Sequence, residues 1–473
     1  MPLLIKNATI VTADETFAGD VLAEDGVIKE IGAGLSAPHA EMIDATGKYL
    51  FPGFIDPHVH IYLPFMGTFS KDDYASGSKA ALMGGTTTLI EMCCPARCED
   101  PLEAIRLWKS KAAGISSCDY TFHMGVTRFD ETTAEALDII VREEKVTSLK
   151  IFLAYKGAFG IEDNELYKTL SFAADRGLVV TAHCENADLV SERQKKLVAE
   201  GKTGPEWHEP SRPISVEADG CHHLMTFAEA TGAEVYVVHT SCIPAVEAIE
   251  AARKRGVKAH IETVAPYLTL DSSYAELPDF EGAKFVMSPP IREKKHGDFL
   301  WKKIADGTVD TVGTDHAPFD FETQKRMGHP ENALDAGMNP TGKPGNFTLI
   351  PNGIPSVEER VKLLYTDGVC EGKIDLQTLV RCASTNAAKI FGLYPRKGAI
   401  QIGSDADLVL WDPEYRGEIS VKTHSMATDY SAFEGKKVKG CAELVTVRGQ
   451  VLVRDGEWAG KGGEGCFLVR SVG

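Results

Sequence analysis

The 473-residue chain has no run of about 18 consecutive apolar residues, the length a membrane-spanning helix needs. Its opening stretch, "MPLLIKNATIVTADE", lacks the basic start, apolar centre and small-residue cleavage site of a secretory leader. Neither a membrane association nor export is expected, and a cytoplasmic location is. Basic residues are also scarce: 50 Lys and Arg against 68 Asp and Glu leave a net charge of -18. A phosphate-backbone binder usually carries a basic patch, so no nucleic-acid partner is expected. Low-complexity tracts are absent, which argues against disorder. The 11 cysteines are odd in number and scattered through apolar segments, a pattern of reduced thiols rather than a disulfide framework. Their one cluster, Cys93, Cys94 and Cys98 in "EMCCPARCED", is a poor metal site, because adjacent residues of a strand face opposite ways and no fourth ligand follows at zinc spacing.

What is present is an ordinary globular composition, 43% hydrophobic and 25% charged. The first fifty residues read as short strands and turns, "LLIKNATIVT", "GDVLAEDGVIKEIG" with an Asp25-Gly26 hairpin signal, and "EMIDATGKYLFPG". From Phe54 a strand-then-helix pattern takes over. Strands are expected at "FIDPHVH", "TTTLIEM", "YTFHMGV", "TSLKIFLA", "LVVTAHC", "EVYVVHTS", "VKAHIETV" and "VDTVGTDHA". Between them lie amphipathic helical segments such as "PLEAIRLWKSKAAG" and "IPAVEAIEAARKRG", each ending in Gly. Eight βα units imply a parallel sheet, and eight strands close a TIM barrel. Strand-and-turn texture returns after about residue 393. The expected fold is therefore α/β, a (β/α)8 barrel over residues 53–392, with a small β-sandwich domain formed by residues 1–52 and 393–473 from both chain termini.

The polar residues on those strands form a pattern. The first strand ends in Asp-x-His-x-His, and because residues i and i+2 of a strand share a face, His58 and His60 converge on one spot about 6–7 Å apart. Lys150 sits on the fourth strand, His183 ends the fifth, His239 the sixth and Asp315 the eighth. All would open on the C-terminal face, where TIM-barrel enzymes keep their chemistry. Singly, each has an ordinary structural explanation; jointly, four imidazoles and a carboxylate at corresponding strand ends do not. Lys150 is the odd member, since an ammonium repels a cation. A lysine that has reacted with CO2 is a carbamate, a carboxylate able to bridge two ions, and with Asp315 and four neutral imidazoles it suffices for a two-metal site. His123, His222 and His223 lack such partners and are expected to be structural.

These residues, within "PGFIDPHVH", "KIFLAYKG", "TAHCEN", "YVVHTSC", "VMSPPIR", "GTDHAPF", "IPNG" and "KGAIQIGSDADLVLWDP", resemble the D-hydantoinase and dihydropyrimidinase family of cyclic amidohydrolases over nearly the whole chain. The resemblance implies two divalent ions, usually zinc: His58, His60 and carbamylated Lys150 at one, Lys150, His183 and His239 at the other, with Asp315 ligating the first and shuttling the proton. It implies that Tyr155, Ser288 and Asn352 hold the cyclic substrate, the last two largely through their backbones. The implied reaction is hydrolysis of the cyclic amide of 5,6-dihydropyrimidines or 5-substituted hydantoins to an N-carbamoyl amino acid, by attack of a hydroxide between the ions, in a homotetramer.

Two departures bear on specificity. Where dihydroorotase-like members carry an Arg two residues after the second His, this chain has Tyr62, which disfavours an acidic substrate. The loop after strand eight, Gly328 to Gly345, is longer than the family pattern; it is expected either to cover the mouth or line a subunit contact, or to be a tolerated surface insertion. Apolar Leu63, Phe65 and Phe159 predict tolerance of aromatic or alkyl C5 groups, and the resemblance implies D-selectivity. An allantoinase, with the same ligands and different loops, is the alternative activity. A non-catalytic scaffold descended from the family is disfavoured because all six ligand positions are filled.

Overall fold

The structure is a computed structural model and describes residues 2–329 and 346–471. Eight strands form one parallel sheet: β1 (Phe54–Val59), β2 (Thr86–Cys93), β3 (Asp119–Gly125), β4 (Ser148–Phe152), β5 (Val179–His183), β6 (Glu234–Val237), β7 (Ala259–Val264) and β8 (Thr311–Gly313). Their spatial order is their chain order, and each neighbouring pair is parallel. The ring closes between β8 and β1, where Asp315 N–H donates to His58 O at 3.0 Å and His60 N–H to His316 O at 2.8 Å. Every residue of β1 to β5 is buried, as in a sheet covered on both faces. That is why these segments read as continuous apolar runs.

The covering helices follow from local sequence. In Pro101–Ala112, Asp100 accepts from the N–H groups of Leu102 and Glu103, Pro101 occupies a first-turn position that needs no donor, and Ile105, Trp108 and Ala112 turn inward. Gly114 follows with φ 71°, a left-handed turn that favours glycine.

The two termini share a second, nine-stranded sheet, in which Tyr49–Pro52 pairs antiparallel with Leu408–Glu418. Alternation along these strands serves two cores. Leu50, Leu408 and Leu410 face Ile5, Ile10, Val21 and Ile28, whereas Phe51, Val409 and Trp411 face the barrel beside Phe54. The sheet folds over its own core: Ile28 N–H donates to Ser404 O and Ala406 N–H to Gly26 O, both at 2.9 Å, fastening the edge hairpin to the segment that enters Leu408–Glu418. The hairpin turn itself is Asp25-Gly26, with φ 52° and 82°. The expected barrel with a sandwich from both termini is therefore the fold found. The last described residues leave the sheet and run onto the barrel, Leu468 N–H donating to Tyr120 O at 2.7 Å and Arg470 to Ser148 Oγ at 2.8 Å.

One buried ion cluster ties sheet to barrel. Lys397, 2% exposed, reaches Asp119 and Asp407 at 2.6 Å and Asp405 at 3.0 Å. Asp119 opens β3, and the other two precede Leu408. Lys397→Met would strand carboxylates that, among the described residues, Arg448 and Arg396 still partly neutralise. The expected loss is about 3 kcal/mol, the low end for breaking a buried pair, measured as a lower unfolding midpoint in thermal or denaturant scans.

Candidate metal centre and active-site cavity

The nine residues singled out in the sequence lie around one cavity: His58, His60, Lys150, Tyr155, His183, His239, Ser288, Asp315 and Asn352. They reach it by different means. His58, Lys150 and His183 belong to β1, β4 and β5, while His239 and Asp315 lie two residues beyond the ends of β6 and β8 rather than within them. Tyr155, His239 and Asp315 adopt left-handed backbone, φ 60°, 38° and 51°. Such conformations cost about 1–3 kcal/mol each away from glycine and concentrate where side chains are held for function.

Donor atoms of His58, His60 and Asp315 lie within 4.8 Å of one another. The Nε2 atoms of both histidines stand 3.2 Å from Asp315 Oδ1. Opposite them, His183 Nδ1 is 2.9 Å from His239 Nε2, and the His58 and His239 rings are 5.3 Å apart, centroid to centroid. His58 Nε2, His60 Nδ1 and His239 Nδ1 are buried without a hydrogen-bond partner. Burial holds the His58 and His239 imidazoles well below their ordinary pKa and lowers that of His183 as well, so these rings are neutral. Burial opposes ionisation of Asp315, but His58 and His60 outweigh it and keep its carboxyl below the usual range. A set of neutral ring nitrogens and an ionised carboxylate, several of them lacking partners, fits divalent cations.

Lys150 is 1% exposed, and among the described residues no carboxylate lies within ion-pair distance of it. Its Nζ rests 4.8 Å from the Phe152 ring centroid. Burial lowers its pKa, which favours the neutral amine.

Sequence reasoning missed the residues behind the imidazoles. Glu262 on β7 accepts from His58 Nδ1 at 2.7 Å, from His239 N–H at 3.0 Å and from Tyr236 OH at 2.7 Å. Glu185 stands 2.8 Å from His183 Nε2 and is itself paired with Arg212 at 2.5 Å. Burial raises the Glu185 pKa, but Arg212, His183 and Arg292 together more than reverse this and bring it to about 2; burial pushes Glu262 up to about 7. Each acid fixes which ring nitrogen keeps its proton and so aims the other. The available signal was an acid inside an apolar strand, "HIETV", and one two residues after a histidine, "AHCEN". Cys94 also lines the cavity, its thiol pushed up to about 12 by burial.

The remaining wall is apolar. Leu63, Phe65 and Phe159 all line it, and Phe65 packs 5.7 Å from Tyr155 and 6.3 Å from Phe159. Tyr62 turns away onto Trp108 at 4.9 Å, so its position puts no cation in the cavity. His123 is held by Ser148 Oγ and Pro57 O in the core, and His223 pairs with Asp163 at the surface. Of the long loop, Gly328 and His329 are described; residues 330–345 lie outside the described residues.

A family model described as "Amidohydrolase family" matches residues 49–452. The chain belongs to the amidohydrolase family. A D-hydantoinase from Geobacillus stearothermophilus is 44% identical over 100% of this chain and 97% of its own length. A dihydropyrimidinase from Dictyostelium discoideum is 40% identical over 99% and 90%. Among solved structures, a D-hydantoinase (dihydropyrimidinase) from Thermus sp. superposes with TM-score 0.94 at 56% identity, covering 99% of each chain. The resemblance read from the motifs is thus borne out, and this amidohydrolase sits among enzymes that act on cyclic amides. Among the described residues no helix is long and apolar enough to cross a membrane.

Glu262→Gln keeps the shape behind His58 and His239 but presents an amide N–H to groups that are donors. Divalent-metal affinity should fall by about 10–100-fold, read by metal analysis after dialysis, with activity returning when excess metal is added.

Proposed function

We propose that this amidohydrolase opens the ring of 5,6-dihydropyrimidines and 5-substituted hydantoins, hydrolysing the cyclic amide bond to give N-carbamoyl amino acids. The observation that carries this reading is the meeting of the six proposed ligands and the three proposed substrate-contacting residues around one apolar-walled cavity. Full-length relatives named D-hydantoinase and dihydropyrimidinase support it. In this reading His58, His60 and Asp315 would hold one ion and His183 and His239 the other, and Lys150, as a carbamate, would supply a carboxylate ligand to both. The lowered Lys150 pKa favours that modification: a neutral amine attacks CO2, forms the N–C bond and sheds a proton. Zinc suits the nitrogen-rich donor set.

The bound ions supply Lewis acidity toward the ring carbonyl and acidify water near neutral pH. The chain's own groups do the rest. Asp315, ionised and held by His58 and His60, accepts the water proton and returns it to the departing ring nitrogen, acting first as base and then as acid. The Tyr155 hydroxyl donates to the oxyanion as the carbonyl becomes tetrahedral. Backbone groups of Ser288 and Asn352 grip the rest of the imide. Leu63, Phe65 and Phe159 receive the C5 substituent, so aromatic and alkyl hydantoins should be accepted. We infer D-selectivity, supported by the greater identity to the Thermus D-hydantoinase, 56%, than to an Arthrobacter aurescens L-hydantoinase, 28%. A cytoplasmic homotetramer completes the proposal.

Steady-state rates on dihydrouracil, hydantoin, D- and L-phenylhydantoin, allantoin and dihydroorotate test this directly. The first four should include the best substrate, D-phenylhydantoin should outpace its mirror image, and fastest turnover of allantoin or dihydroorotate would overturn the assignment. Lys150→Ala should lose most metal and activity, and a short carboxylic acid in solution should restore part of both by standing in for the carbamate. Lys150→Arg should fail outright, because its guanidinium keeps its charge; wild-type metal content and turnover in either variant would end the two-ion reading.

A further inference from the structure

Lys325 is a buried lysine that the reaction above does not use. Its side chain is wholly inaccessible, and among the described residues no acidic group pairs with it. Nζ instead donates to two backbone carbonyls, Val286 O at 2.9 Å and Pro351 O at 3.1 Å. Those carbonyls are not arbitrary. Val286 lies two residues before Ser288, and Pro351 immediately precedes Asn352. The same Val286 carbonyl accepts Gly353 N–H at 3.0 Å, and Asn352 Nδ2 donates to Ser288 Oγ at 2.9 Å. Residues 286–288 and 351–353 thus form a clasp at the cavity wall, and Lys325 joins its two arms from behind.

The chemistry of the amine suits this task. A neutral –NH2 has two N–H donors, matched by the two carbonyls, whereas an ammonium would bury a third donor with no acceptor. Burial alone holds the Lys325 pKa well below the ordinary value. The residue is also well anchored at its own end: its N–H donates to Asp320 O at 2.8 Å, and Asp320 is paired with Lys71 at 2.6 Å. Asp320 follows Asp315 on the same loop, so the side chain links the loop that carries the proton-shuttling carboxylate to both arms of the clasp.

We propose that Lys325 is a positioning residue for substrate, fixing the separation of the Ser288 and Asn352 backbones that grip the ring. This rests on the reading that those backbones bind the cyclic imide. Removing the two N–H donors should loosen the clasp, weaken substrate binding and leave the metal ligands untouched. Lys325→Met preserves the stem without the amine, and Lys325→Gln keeps two N–H donors on a chain one atom shorter.

The test is steady-state kinetics of parent and both variants on the best ring substrate, alongside metal content and unfolding midpoint. KM should rise tenfold or more in Lys325→Met, with kcat changed less than threefold and metal content unaltered, and Lys325→Gln should fall between parent and Met. Parental KM in a folded Met variant, or a loss confined to kcat or the unfolding midpoint, would overturn the proposal. If Lys325→Met does not fold, Lys325→Gln decides alone: a severalfold higher KM sustains the assignment, and a parental KM ends it. Absence of turnover by the parent on every ring substrate would instead sink the functional reading on which this rests.

Discussion

Two backbone hydrogen bonds close the barrel, and three of the four residues that make them are proposed metal ligands. Asp315 N–H to His58 O and His60 N–H to His316 O join the last strand to the first. The backbones of these three residues are therefore placed by the closure of the ring rather than by a flexible loop. Side chains aimed from such a seam meet at a distance set by strand spacing, which is why Asp315 Oδ1 finds both histidine Nε2 atoms at 3.2 Å. A barrel that failed to close would have neither a core nor a site.

Beneath the imidazoles lies a layer of buried acids that the seam alone does not explain. Glu262 accepts from the His58 ring and from the His239 backbone N–H, and Glu185 serves the His183 ring while leaning on Arg212. Arg212 in turn stands 5.4 Å from the Tyr155 ring centroid, so one chain of contacts runs from His183 to Tyr155. Burying these charges is unfavourable unless each is paired. The pairing defines two ring orientations: with Nδ1 engaged by Glu262, His58 turns Nε2 to the cavity, and with Nε2 engaged by Glu185, His183 turns Nδ1 there.

How much of this was legible in the sequence follows from the length scale of each signal. The eight strands were readable because each is buried on both faces and so forms an apolar run, and His58 with His60 because a period of two is a local rule. Lys150 stood out because an ammonium in a buried strand needs an explanation. Glu262 and Lys325 were harder to read: an acid inside an apolar strand marked Glu262 without naming its partner His58, and no local pattern marked Lys325, whose partners are the Val286 and Pro351 carbonyls. Nor could composition show that His239 and Asp315 lie beyond their strands in left-handed backbone, since that depends on how each turn meets its neighbours. The resemblance to a family supplied the roles of Ser288 and Asn352, which residue chemistry alone would not have singled out.

The sheet shared by the two termini has a consequence for synthesis. Tyr49–Pro52 pairs with Leu408–Trp411, and all of the barrel's strands are translated between the two. At about 5–20 residues per second, the partner strand leaves the ribosome tens of seconds after the first. Throughout that interval the nascent chain carries an unpaired, strongly apolar sheet edge at Leu50 and Phe51, the kind of edge that recruits other chains. The barrel can form vectorially as each βα unit emerges; the sheet cannot be completed until translation is nearly over.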